Sequence, residues 1–413
     1  MKTRLLTLAT GITLATGTAF AQTTVEVLHA WGGHEAWHQA IAKDFMAANP
    51  DIKIEFHATA ASYDEGVQTV IRQSFAGQEP DIYFNGYHLI NQLVLRDLAV
   101  DLGPLLEGTD LAALGLSEDR MALGKVDGRQ VSFPATSSTP VVYVNADLVR
   151  RAGGDPDNIP NDWDSFIELA GAIDALGDDI DGMYYELGRD DWMFQNLVLN
   201  FGGELMKDGD VAFDGPEGQA AMALFKRFHD EGGQPAVSRN DARAQLLSGR
   251  MGLYFGSAAF VRRFEKSSKD VFEPRTAVQP LAGGSAAAMP TGGMAGVILE
   301  TEDAAVQAAA LKYLLFMAGP EGQTHVVLNT GYMPLSTKTL EPEYLGDYYK
   351  DHPNWFTSVQ QLPLAVPWFQ WPGLNGVEIG KVINDGFTAI AHGADPQEKL
   401  AEMAANVSEL VEE

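Results

Sequence analysis

The sequence predicts an α/β protein of two lobes, with the chain passing between them more than once. Three observations predict it. Strand-like and helix-like stretches alternate from Val25 onward. At 413 residues the chain is too long for one ordinary core, which favours two domains of roughly 150–200 residues. Strand-like runs also lie on both sides of two irregular segments, 131–145 and 283–293.

Val25–Trp31 reads as an apolar strand, and Gly32-Gly33 as a loop. Trp37, Ile41 and Phe45 at i, i+4, i+8 then mark a helix that Asn49-Pro50 ends. Ile52–Phe56 alternates as a strand does, completing a βαβ unit and so predicting parallel strands with a right-handed crossover. Val67, Val70, Ile71 and Phe75 stripe a second helix, 81–84 is the next strand, and 89–95 a third helix. Beyond residue 145, helices are predicted near 146–151, over 162–175, from Asp190-Asp191-Trp192 to Phe201, and over 216–230 with Pro216 in its first turn. Met251–Phe255 and Ala295–Leu299 are strand-like, 304–317 is helical, 283–293 is a loop, and the chain from about Glu343 is mainly helical.

The stretch joining the two halves is Val131–Asn145. Its two β-type apolar runs flank Thr136-Ser137-Ser138-Thr139 between Pro134 and Pro140, each of which biases its preceding residue toward extended backbone. The expectation is a strand leaving one sheet and entering another, with a hydroxyl-rich cradle where a solute sits; a surface turn would use the same residue types.

Lys2 and Arg4, the apolar or small run Leu5–Thr18, and Ala19-Phe20-Ala21 fit an export signal cleaved after Ala21. With no cysteine to carry a lipid or a disulfide, a soluble periplasmic protein is expected. The net charge of −28 argues against nucleic acid and against anionic membrane surfaces.

His34-Glu35-Ala36-Trp37-His38 matches H-E-x-x-H, which in zinc peptidases puts two ligands and a base on one helix. Here Gly32-Gly33 would leave the pair in a frayed first turn, so a metallopeptidase is the minor alternative, and a ligand contact by His34 lies between. Residues 177–188 fail as a calcium loop, because its first and twelfth positions are glycines. G-x-S-x-G and phosphate-loop patterns are missing, so an enzyme is poorly supported and no cofactor is expected. A better candidate is a set of aromatics near strand ends and helix starts: Trp31, Tyr63, Tyr87, Trp192, Tyr254, Tyr332 and Trp371. In open α/β sheets ligands bind beyond the carboxyl ends of strands, and aromatic faces suit the C–H faces of a sugar. Gly256 and Gly293 would let backbone approach a ligand. Asn85 completes the polar candidates, and Arg189, beside Trp192, is placed to receive an acidic group.

The signal segment, the βαβ start, Glu79-Pro80-Asp81-Ile82, SSTPVVYVN at 137–145 and Thr330-Gly331-Tyr332-Met333-Pro334, in that order, resemble extracellular solute-binding proteins of family 1, the carbohydrate receptors of ABC importers. The resemblance implies the type II periplasmic-binding-protein fold: two Rossmann-like lobes on a multi-segment hinge, here 22–135 with 291–345 and 136–290 with 346–413. It implies a monomer that binds without chemistry and delivers its solute to a membrane permease. The nearest branch is the glycerol-3-phosphate-binding group, which puts Tyr63, Tyr87, Ser138, Gly256, Gly293 and Tyr332 at ligand contacts. The branch carries an acidic residue where Tyr87 stands, a serine at Gly256, and its phosphate-reading arginine at Gly380. An arginine fork is the natural reader of phosphate. A neutral sugar, oligosaccharide or polyol is therefore expected, with an anionic sugar derivative or glycerol phosphate as the alternative.

Overall fold

The computed structural model describes residues 22–188 and 190–412. The expected signal segment, 1–21, and Arg189 lie outside the described residues. Two sheets organise the chain. The first has the order Ile52–Phe56, Thr23–His29, Ile82–Gly86, Met294–Ile298, Phe133–Pro134. Its first three strands are parallel, as the βαβ periodicity predicts, and the last two each run antiparallel to the neighbour before them. The second has the order Pro274–Ala277, Pro140–Asn145, Met251–Ser257, Asp181–Tyr185. Pro140–Asn145 is antiparallel to both of its neighbours there.

Helices cover these sheets because their apolar stripes have nowhere else to go. In Glu35–Ala48 the buried face is Trp37, His38, Ile41, Ala42 and Phe45. Trp163–Asp174 buries Phe166, Ile167, Ala170 and Ile173, and Asp162 caps it by accepting from the Ser165 N–H. The two C-terminal helices, Gly376–Ala391 and Pro396–Glu412, pack on each other and on Pro216–Asp230.

The crossing is where the structure departs most from expectation. Thr136, Ser137, Ser138 and Thr139 are buried. Ser138 exchanges backbone hydrogen bonds with Gly292, each 2.9 Å, and the Ser137 carbonyl accepts from the Met333 N–H at 2.8 Å. These small hydroxyl residues let three chain segments pack side by side, so the stretch is the woven hinge and not an open cradle. The 283–293 segment, expected as a loop, contains the strand Met289–Thr291, which pairs in parallel with Ala365–Pro367. Neither three-residue strand is long enough to show a period of two. The chain is an α/β protein of two lobes.

Candidate ligand cleft

Between the two sheets lies a cavity of about 600 Å³. Trp31 follows the first strand, Tyr63 opens the Tyr63–Ser74 helix, and Gly293 and Tyr332 sit on hinge segments; all four line it. From the second sheet's side come Glu186 and Gly188 after the strand Asp181–Tyr185, Ser257 at the end of its own strand, and Trp192 and Met193 at the start of the Trp192–Asn200 helix. The helices Arg239–Leu247 and Val261–Ser268 contribute Arg239, Arg243, Arg262, Arg263 and Lys266.

Six of the candidates meet here: Trp31, His34, Tyr63, Trp192, Gly293 and Tyr332. Trp31 and Tyr63 pack edge to face at 5.6 Å, and Trp31 holds a left-handed φ of 68°. The Trp192 indole donates to the Pro290 carbonyl at 3.0 Å, and a Cβ on Gly292 would stand 2.8 Å from its ring, so only glycine lets hinge and ring meet. At Gly293 φ is +121° and a Cβ would lie 2.5 Å from the Thr136 carbonyl. That position serves the hinge weave as much as the cavity.

The other candidates stand elsewhere, each for a physical reason. Trp371 is 1% exposed, and its indole donates to Asp191 at 2.6 Å. Tyr87 is buried with its hydroxyl donating to the Thr136 carbonyl at 2.8 Å, which makes it a hinge strut. Asn85 is buried and donates to the Leu89 carbonyl at 3.0 Å. Ser138 spends its hydroxyl on Ser257 at 2.8 Å, and Ser257 is the one that lines the cavity. Gly256 also stays off the lining: a Cβ there would sit 2.6 Å from Glu186 Oε2, so its bareness makes room for that carboxylate. Gly380 lies on the Gly376–Ala391 helix outside the lining.

Sequence reasoning missed the charged walls and Trp368. Trp368 lines the cavity, stacks on buried His88 at 3.7 Å, and donates to Asp191 at 3.1 Å. Asp191 thus takes both the Trp368 and Trp371 indoles, and W-F-Q-W at 368–371 was the available signal. Glu186 accepts from Arg239 at 3.2 Å, from Arg243 at 2.8 Å and from Tyr254 at 2.5 Å. Burial pushes its carboxyl up, but the two guanidiniums and the tyrosine hydroxyl outweigh that and hold it below the ordinary range. At Asp190 the balance goes the other way: burial, then Asp191 and Asp64, push it up to about 7 against the weaker opposing pull of the Trp192 N–H and Arg239. Asp64, on the opposite side, is pushed up to about 7 by burial and by Asp191.

The H-E-x-x-H pattern does not assemble. His34 closes the short turn Gly32–His34 and packs toward Trp37 and Tyr332, whereas His38 stacks between Trp37 at 3.8 Å and His29 at 4.2 Å. Among the described residues no group of three His, Asp or Glu side chains stands where it could hold a metal ion.

Comparison with known proteins accords with this geometry. The family profile described as bacterial extracellular solute-binding protein matches residues 40–357. The chain is 25% identical over 389 residues to the sn-glycerol-3-phosphate-binding periplasmic protein UgpB of Salmonella typhimurium, covering 89% of this chain and 86% of that protein. It is 24% identical to UgpB of Escherichia coli K12, covering 91% and 87%. Among solved structures it is similar to Mycobacterium tuberculosis UgpB in complex with glycerophosphocholine, with a TM-score of 0.83 at 21% identity over 93% of this chain and 98% of that one. Maltose-bound MalE3 of Thermotoga maritima gives 0.80 at 18% identity over 94% and 100%. The chain belongs to the bacterial extracellular solute-binding proteins.

Proposed function

We propose that the protein is the periplasmic receptor of an ABC importer, binding a neutral sugar, oligosaccharide or polyol in the interlobe cleft and delivering it to a membrane permease. The observation that carries this reading is the cleft itself. Trp31, Trp192 and Trp368 supply flat apolar faces, and Glu186, Asp190 and Ser257 supply hydrogen-bonding groups, in a cavity of about 600 Å³ fed by both lobes. Ligand pockets commonly hold roughly 300–1,000 Å³ with this mixture. The lobes are assigned as 22–135 with 291–345 and 136–290 with 346–413. A solute touching both lobes favours the closed form by its differential affinity for that state. Micromolar binding requires about −8 kcal/mol. Several hydrogen bonds at roughly 0.5–1.5 kcal/mol each plus aromatic burial reach it after ordering costs. The protein acts as a monomer and without turnover; the separate directions of His34 and His38 remove the support for a peptidase.

A second reading, an anionic sugar derivative or glycerol phosphate, is favoured by one observation. Arg262, Arg263 and Lys266 line the cavity, and among the described residues no carboxylate pairs with them. A thermal-shift screen of ligand-stripped protein against neutral sugars and polyols, and against sugar phosphates and glycerol phosphate, separates the two. Stabilisation by a neutral solute supports the first; a response confined to anions replaces it with the second.

A further inference from the structure

We propose that Arg239 is a selectivity gate at one end of the cleft, setting the length of solute that the closed protein accepts. This rests on the cleft being the solute site. Arg239 opens the Arg239–Leu247 helix on the side of the second sheet, where its guanidinium pairs with Glu186 at 3.2 Å. The same guanidinium stands 5.7 Å from the ring centre of Trp31, which follows a strand of the first sheet. One side chain therefore links the two lobes. A planar, delocalised guanidinium can hold a carboxylate by its edge and an aromatic ring by its face at once, which a lysine ammonium cannot. Both anchors are themselves fixed: Glu186 by Arg243 and Tyr254, and Trp31 by its edge contact with Tyr63.

What lies behind Arg239 makes the link a gate. A second cavity, of about 400 Å³, is lined by Tyr184, Leu187, Val237, Asn240 and His392, and it shares Gly188 and Arg239 with the main one. The Arg239 side chain is thus common wall to both. With the guanidinium at the shared boundary the two cavities stay separate. With it gone, the main cavity continues past Gly188 toward His392, and a solute one unit longer fits without reopening the lobes.

The sequence contains no cysteine, so Lys43→Cys and Ala223→Cys, exposed positions on helices of opposite lobes, accept spin labels specifically. Pulsed electron–electron distance measurements on the solute-free protein should show the open-to-closed ratio rising roughly 2- to 30-fold in Arg239→Ala, the range a cation–π contact supports. Trp31→Leu should do the same, and the double variant should go little beyond either single one, because both remove one contact. In parallel, glucose, maltose, maltotriose and maltotetraose, together with glycerol and glycerol 3-phosphate, are titrated into wild type and Arg239→Ala. The variant should accept a chain at least one unit longer than wild type does. Arg239→Lys, which keeps the Glu186 pair and the charge, should lie between. An unchanged distance distribution in Arg239→Ala, additive effects of the two single variants, or an identical length limit would overturn the gate. If wild type and variant bind no member of the series, the sugar reading fails by itself, and the distance measurement still decides the link.

Discussion

At the scale of single residues, the tryptophans divide into those that line the cavity and one, Trp371, that is buried behind its wall. Trp192→Ala and Trp368→Ala should weaken solute binding at least tenfold by calorimetry. Trp371→Ala should instead appear as lost stability, about 3–5 kcal/mol by denaturant titration, because a large buried side chain leaves a void and Asp191 loses a donor. A similar loss of solute affinity with unchanged stability in Trp371→Ala would contradict that division. Gly256→Ala forces Glu186 off its two arginines and should cost about 1–3 kcal/mol. The sequence made Trp31, Tyr63, Trp192 and Tyr332 legible, since aromatics at strand ends and helix starts stand where such sheets bind ligands. It left Glu186 and Arg239 illegible: they meet across more than fifty residues of chain, and no local spacing records that they converge.

At the scale of elements, the first strand and first helix carry a buried histidine stack. His29 and His38 are buried, and burial lowers the pKa of His29 below its ordinary value and that of His38 well below it. A folded-state pKa below the unfolded value of 6.5 means that the neutral form belongs to the fold. The stability it contributes is full above about pH 6.5 and falls as pH drops toward the folded-state values. His38→Phe, which keeps an aromatic ring between Trp37 and His29, should flatten the fall in Tm between pH 6.5 and 4. An unaltered acid limb would place the sensitivity elsewhere. Helix and strand types were readable here because Trp37, Ile41 and Phe45 repeat at the helical period and Ile52–Phe56 at the strand period. The hinge was not: the chemistry that lets Thr136–Thr139 weave between Gly292 and Met333 is also the chemistry of a turn, and only the partners, some 150 and 200 residues away, distinguish them.

At the scale of the whole molecule, carboxylates from the two sides of the cavity lie near one another, Asp64 with Asp190 and Asp191, and Tyr63 and Arg239 beside Asp190. Asp64 and Asp190 are each raised to about 7. For a raised acid the contribution to the closed form is full below the unfolded value near 3.8 and is lost as pH rises through about 7. Solute-free closure should therefore weaken as pH rises from about 4 to about 7 in the distance measurement and change little above that, and Asp190→Asn should remove about half of that slope, Asp64 supplying the rest; an identical slope in the variant would contradict the account. The central claim, that two lobes grip a solute between aromatic faces, is tested most directly by calorimetry of ligand-stripped protein with a panel of sugars and polyols, repeated on Trp192→Ala. The account predicts a solute binding one to one at micromolar strength, weakened at least tenfold in the variant. Binding of equal strength in both proteins, or none to any member of the panel, would contradict it.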